Sequence, residues 1–252
     1  VFEADRLLAE KQTELEQRLA LTKGKAALGA DVAAQKEFDA HVEKIHAGLS
    51  NDQQCGVFQR TSLRRRQQLN EQAQKHIRTE YGAFQDAETT GTINSAKDRT
   101  RRNPDSPTIV QAERQRAVSA LAAWAQRKGL IGEITPEMIQ DPEFQKDYMA
   151  KGQTPPTVED LKTPGLSKQY VSQAYLDKRQ IVESSLHKEV VDGLLAQDND
   201  QTAKAYADKN RQNFTAADLE SVEKSVIEGS TRGESRRQTA QIIGTKGIDT
   251  AD

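Results

Sequence analysis

From about Gln53 to Arg102 the chain carries no proline, and Gln, Arg, Ala and Glu dominate. Such residues lose little rotamer freedom in a helix, so the stretch predicts one long helix. At 1.5 Å per residue it would span on the order of 70 Å. Its apolar line is sparse: Phe58, Leu69, Ala73, Ile77, Phe84 and Ala87. That is too little to bury the helix in one small domain, so it is expected to pack along other helices, of this chain or of other subunits. Gly82 and Gly91 each cost about 1 kcal/mol against Ala and mark a bend or break.

The remainder of the chain fits around that demand. Leu, Ile, Val and Phe make up under a fifth of the 252 residues. That would suit a disordered chain, but disorder also favours high net charge, and here it is only −2. The expected class is all-α: an extended helical bundle with thin seams, one long polar helix at about 53–102, and a C-terminal head of helical hairpins. No run approaches the roughly 20 apolar residues of a membrane span, and the start VFEADRLLAE lacks the apolar core of a signal peptide. The opening at Val1 and the polar close Thr-Ala-Asp fit Met removal or a longer parent chain. Cys55 is the only cysteine, and no Cys-His set suggests zinc.

Four regions follow from the punctuation. Residues 1–150 read as the long-helix bundle. It opens with a helix from Phe2 to about Lys23, striped by Leu8, Leu15 and Leu19, and a second capped by Asp31. Ala34, Phe38, Val42, Ile45 and Leu49 form a coiled-coil-like seam there. Ser50 and Gln53 read as a capping box. Ser106-Pro107 opens another helix, with Leu121 and Trp124 on its core stripe and Gly129-Leu130 as its stop. Residues 151–166 hold three of the seven prolines and read as a hinge, with one turn seeded at 157–160. Residues 167–229 read as the head: a helix to about Gln197, the acidic break 198–200, an Ala-rich helix with Tyr206, and a Thr215-opened helix closing at Gly229. Residues 230–252 read as a short helix and a frayed tail.

Charge is unevenly placed. Between Gln54 and Arg102 ten basic residues face five acidic ones, and between Ser185 and Glu228 five face nine. Arg60, Arg64, Arg65, Arg66 and Arg78 are the candidate contacts for phosphates or an acidic partner surface. A solvated helix face is the plainer reading, because Phe58 and Tyr81 lie too far apart to stack successive bases. The acidic C-terminal region would suit the basic helix of a neighbouring subunit by charge. Ser185-Leu-His-Lys188 and Ser221-Val-Glu-Lys224 both match the S-x-x-K nucleophile pattern, without its S-D-N and K-T-G companions. Glu183 and His187 share a helix face but have no third ligand nearby. His41 and His46 do not share one. No glycine-rich phosphate loop is present. The expectation is therefore no catalytic, cofactor or metal site within these residues.

The segment LHKEVVDGLLAQDNDQTAKAYADKNRQNFTAADLESVEKSVIEG, preceded by AERQRAVSALAAWAQRKGLIGEITPEMIQDPEF, resembles a region of internal virion and tail proteins of tailed bacteriophages. The likeness is one of pattern and order: a long polar helix, a Trp-containing helix ending in Gly-Leu, a helix ending in Leu-Leu, an acidic turn, an Ala-rich helix with Tyr, and a Thr-capped helix. It spans about residues 38–243. The resemblance implies a non-enzymatic ejection protein, carried in the virion and delivered to the host periplasm or envelope. There it would homo-oligomerise into a ring or tube for genome delivery. Its partners would be further copies, other virion or tail proteins, and DNA passing without sequence preference. Two alternatives are a tetratricopeptide-like scaffold that binds a protein partner, suggested by Ala203 and Tyr206, and the accessory region of a cell-wall lytic enzyme.

Overall fold

The computed structural model describes residues 2–162 and 169–245, with side chains to 242. Within them the protein is all-α, with nine α-helices, one of them very long, and a single two-stranded sheet. The helices are α1 (Phe2–Leu21), α2 (Ala30–His46), α3 (Asp52–Arg102), α4 (Pro107–Arg127), α5 (Pro136–Gln140), α6 (Pro142–Ala150), α7 (Gln173–Ala196), α8 (Asp200–Lys209) and α9 (Ala216–Thr245). Strands β1 (Ile131–Glu133) and β2 (Gln169–Val171) pair antiparallel, Gly132 opposite Tyr170. Contacts divide the chain into residues 1–88 and 89–252, inside α3 rather than at the Pro-rich stretch. Of that stretch, 163–166 lies outside the described residues, as does the tail beyond 245. Thr157 and Asp160 bond reciprocally, Thr157 Oγ1 donating at 2.7 Å and Asp160 N returning at 3.2 Å. They introduce the short 3₁₀ turn Asp160–Lys162.

In the first unit, α1, α2 and the N-terminal part of α3 close around Leu8, Leu15, Leu19, Phe38, Phe58 and Leu69. The buried line of α3 is thin and partly polar. Phe58, Ser62, Leu69 and Ala73 are buried along it, and Arg65 is partly so. Of the other apolar residues expected on that line, Ile77 and Phe84 are only partly buried and Ala87 is exposed. Fewer apolar side chains serve than the pattern suggested, because polar ones fill the gaps with partners. Arg65 donates to Asp5 at 2.8 Å and to Gln12 at 3.2 Å, and Gln12, itself buried, donates to Glu16 at 2.7 Å. At the far end His76 Nε2 lies 2.9 Å from the Thr22 carbonyl. The Gly24 N–H and the Lys23 ammonium both donate to Glu80, holding its carboxyl below the usual range. Asn51, not Ser50, caps α3: its Oδ1 accepts from Gln53 N at 2.8 Å.

The second unit holds three apolar clusters. Ile93 and Ala96 of α3 meet Ala117, Leu121 and Ala125 of α4 and Tyr175, Val182 and Leu186 of α7. Leu121 and Ala125 are the deep positions, while Trp124 sits half-buried at the rim with the Lys178 ammonium 4.2 Å over its ring. Gly129 ends α4 at φ +68°, with Leu130 N bonded to Ala125 O and Gly129 N to Gln126 O, the six-to-one and five-to-two bonds of a Schellman stop. β1 follows at once. The helix expected from Ser167 begins six residues later, because β2 first pairs with β1 and Ser172 then caps α7 through Tyr175 N. Ile134, Phe144 and Tyr170 form a small core over the sheet.

In the head, α7, α8 and α9 bury Val190, Val191, Leu194, Ala203, Val222 and Val226. α9 does not close at Gly229 but runs unbroken to Thr245. Gly229 is there for closeness: a Cβ at that position would meet Leu195 Cδ2 at 2.6 Å. Gly193 is tighter still, since its Cβ would stand 2.3 Å from the Arg101 carbonyl oxygen at the end of α3. A backbone atom cannot step aside as a side-chain tip can. Gly193→Ala should therefore destabilise the second unit by about 1–3 kcal/mol in urea unfolding. Gly91→Ala, in exposed helix with nothing within 4 Å, should stabilise by up to about 1 kcal/mol.

Candidate functional site

The five candidate arginines separate into two groups. At 100° per residue, Arg65 lies on the side of α3 that faces α1, and Arg66 faces α2. Arg65 is clamped on Asp5, and Arg66 pairs with Asp39 at 2.8 Å. Both therefore work inside the first unit, joining α3 to its two neighbours. Arg60, Arg64 and Arg78 lie on the opposite, exposed side of α3 and make no ion pair among the described residues. With them stand Leu63, 58% exposed, and Gln67, Glu71 and Lys75, all exposed. The surface is basic but mixed, with room for a partner and no preformed pocket.

The two S-x-x-K motifs are brought together by the fold, though not as nucleophile and base. Ser185 turns back to the Val182 carbonyl at 2.8 Å. The Lys188 ammonium instead reaches across to α9 and donates to Ser221 Oγ at 2.9 Å. Beside it Ser184, fully buried, accepts from Thr215 N at 2.8 Å and donates to Asp218 at 2.5 Å. Thr215 Oγ1 accepts from Asp218 N at 3.3 Å. Thr215 thus caps α9 in one direction, and the buried serine of α7 stands in the return path, accepting from Thr215 N and donating to the Asp218 carboxylate. Nothing in the sequence pattern marks Ser184 for this role; only Thr215 as the residue that opens the helix was legible.

Glu183 and His187 do not converge on a common point for a metal. Glu183 pairs with Arg114 of α4 and Arg179, both at 3.4 Å. His187 turns inward, its Nδ1 2.8 Å from the Tyr206 hydroxyl and its ring against Phe214. Its Nε2 is buried without a partner. Burial pushes the imidazole pKa down and the Arg114 guanidinium adds to that, with Glu183 opposing. Nearby on α7, burial raises Glu189 and Asp192; Asp192 adds to the effect at Glu189. Among the described residues no group of three His, Cys, Asp or Glu side chains is placed to hold a metal ion, and no helix is long and apolar enough to cross a membrane.

A cleft of about 720 Å³ lies between the 198–201 turn, α7 and α9. Its arginines are mostly spent on its own carboxylates: Arg236 pairs with Asp198, Arg237 with Asp200 at 2.9 Å and Arg232 with Glu228 at 3.6 Å. A second polar knot closes the small sheet. Lys151 lies between the Tyr148 and Tyr170 rings and pairs with Asp147 at 2.6 Å. Asp147 also accepts from Gln173 N at 2.9 Å. Burial alone would raise that carboxyl, but the ammonium and the N–H outweigh it and hold it low. Both knots bind the chain to itself.

Comparison of the chain with family models, curated proteins and solved structures returns no match.

Two outcomes follow from these placements. Arg65→Ala should cost the first unit about 1 kcal/mol, since it strips Asp5 and the buried Gln12 oxygen of their donor. Arg60→Ala, Arg64→Ala and Arg78→Ala should stay within about 0.5 kcal/mol; thermal unfolding separates the two groups. For His187 the folded pKa lies below the ordinary 6.5. The unfolded chain therefore binds the extra proton first, and stability should fall as pH drops through that value. Glu189 and Asp192, raised above their ordinary 4.5 and 3.8, act in the opposite sense just above those values. Urea midpoints measured from pH 7.5 to 4.5 should fall first, and His187→Gln should remove that first fall.

Proposed function

We propose that the chain is a structural virion protein of a tailed bacteriophage, an internal or ejection protein without catalytic duty in these residues. It acts by homo-oligomerising into a ring or tube through which the genome crosses the host envelope, alongside other virion or tail proteins. The observation that carries the reading is α3. It is a 51-residue helix whose buried line is thin and partly polar, and whose outer side keeps Arg60, Arg64 and Arg78 unpaired among the described residues. A helix of that kind gains stability when neighbouring copies cover it, and its exposed arginines suit an acidic surface on such a neighbour by charge.

The order of elements supports the same reading. A long polar helix, a Trp-containing helix stopped at Gly129-Leu130, a helix ending at Leu194-Leu195, the 198–200 turn, an Ala-rich helix with Tyr206 and a helix capped by Thr215 succeed one another as in the phage proteins that the sequence resembles. The test is mass spectrometry of purified particles, full and emptied, from the phage whose genome encodes the chain. Peptides of the chain should be present in full particles and depleted after emptying. Their absence from full particles contradicts the proposal.

A further inference from the structure

Two exposed apolar side chains sit in patches of opposite charge on two outward helix faces. On α3, Leu63 is 58% exposed. Arg60 lies one turn before it, Arg64 beside it and Gln67 one turn after, all exposed. Neither arginine has a carboxylate partner among the described residues, and Glu71, one turn beyond Gln67, interrupts the basic face before Lys75 and Arg78. On α9, Ile227 is 66% exposed. Glu220, Glu223 and Glu234 stand seven before, four before and seven after it, within about 40° of its direction at 100° per residue. Glu223 is shared with Arg211 at 2.6 Å. Glu220 and Glu234 have no cation partner among the described residues, and Lys224 is the one basic residue on the edge of the stripe.

From this complementarity we infer that the Arg60–Leu63–Arg64 patch of one copy docks on the Glu220–Ile227–Glu234 stripe of a second copy. Each patch offers an isoleucine or leucine to bury and charges to set the register, which is the division of labour found at protein interfaces. The two patches are different surfaces, so the contact is heterologous. Repeating it from copy to copy makes a closed ring if the rotation closes and a filament if it does not. The inference deepens the assembly part of the proposed function. The particle measurement reports whether the chain resides in a virion, and the one below whether these two surfaces join, so either can fail without the other.

The test follows the mass of the full chain by sedimentation velocity over a concentration series, with circular dichroism confirming that each variant remains helical. Wild type should associate, and less so in high salt. Arg60→Glu with Arg64→Glu should weaken association at least about tenfold, as should Glu220→Arg with Glu234→Arg. All four changes in one chain should restore it. A mixture of the two double variants should regain association as alternating copies, while each alone does not, because every patch then meets a stripe of opposite charge on the other variant. Leu63→Ser and Ile227→Ser, which leave the charges in place, should each weaken association as well. A wild type that remains monomeric at about 100 μM, or double variants that are folded and associate as wild type does, overturns the inference. So does a folded fourfold variant that fails to regain association.

Discussion

A long helix can stay ordered in water only if something covers a line along it, and α3 has little apolar surface with which to recruit that cover. Nucleation is costly and intrinsic propensity is weak, so most of the stability of a protein helix comes from packing. Leu8, Leu15, Leu19 and Phe38 cover its N-terminal part. α4 and α7 cover its C-terminal part at Ile93 and Ala96. Where apolar residues run out, polar ones with dedicated partners take their place: Arg65 on Asp5 and Gln12 in the first unit, and in the second Arg99 on the buried Glu113 at 3.0 Å. The division of the chain at 88/89, within one helix, reflects that two separate sets of neighbours share it.

The head meets the same shortage of large side chains by another route. Ala203, Ala207, Gly193 and Gly229 let backbones approach, so contact area is gained by closeness and not by bulk. Close approach leaves no slack, and polar groups trapped there must be paired. Ser184 and Lys188 find partners on α9. His187 satisfies only one of its two ring nitrogens, and with burial pushing its pKa down it is an acid-sensitive point of the unit.

Much of the helical layout was legible in the sequence. Proline-free length and propensity placed α3 to within a residue of its start, the Schellman stop at Gly129 was readable, and the Leu8, Leu15, Leu19 stripe is buried. Three features were not. The β1–β2 pair joins residues about 40 apart, and neither three-residue strand carries a period of its own. Gly229 looked like a stop because glycine serves both stops and close contacts, and only the position of Leu195 tells them apart. The arginine run at 64–66 read as one basic feature, but successive residues on a helix point about 100° apart. Arg65 and Arg66 therefore turn to partners within the unit while Arg64 faces out.

The central claim is that α3 holds its order through two independent sets of neighbours. Hydrogen exchange of its backbone amides in Leu8→Ala tests this most directly, because that change opens a cavity only under the N-terminal part. Protection should collapse over residues 57–77 and survive over 93–100. Equal loss along the whole helix, or no loss at either end, would contradict the account.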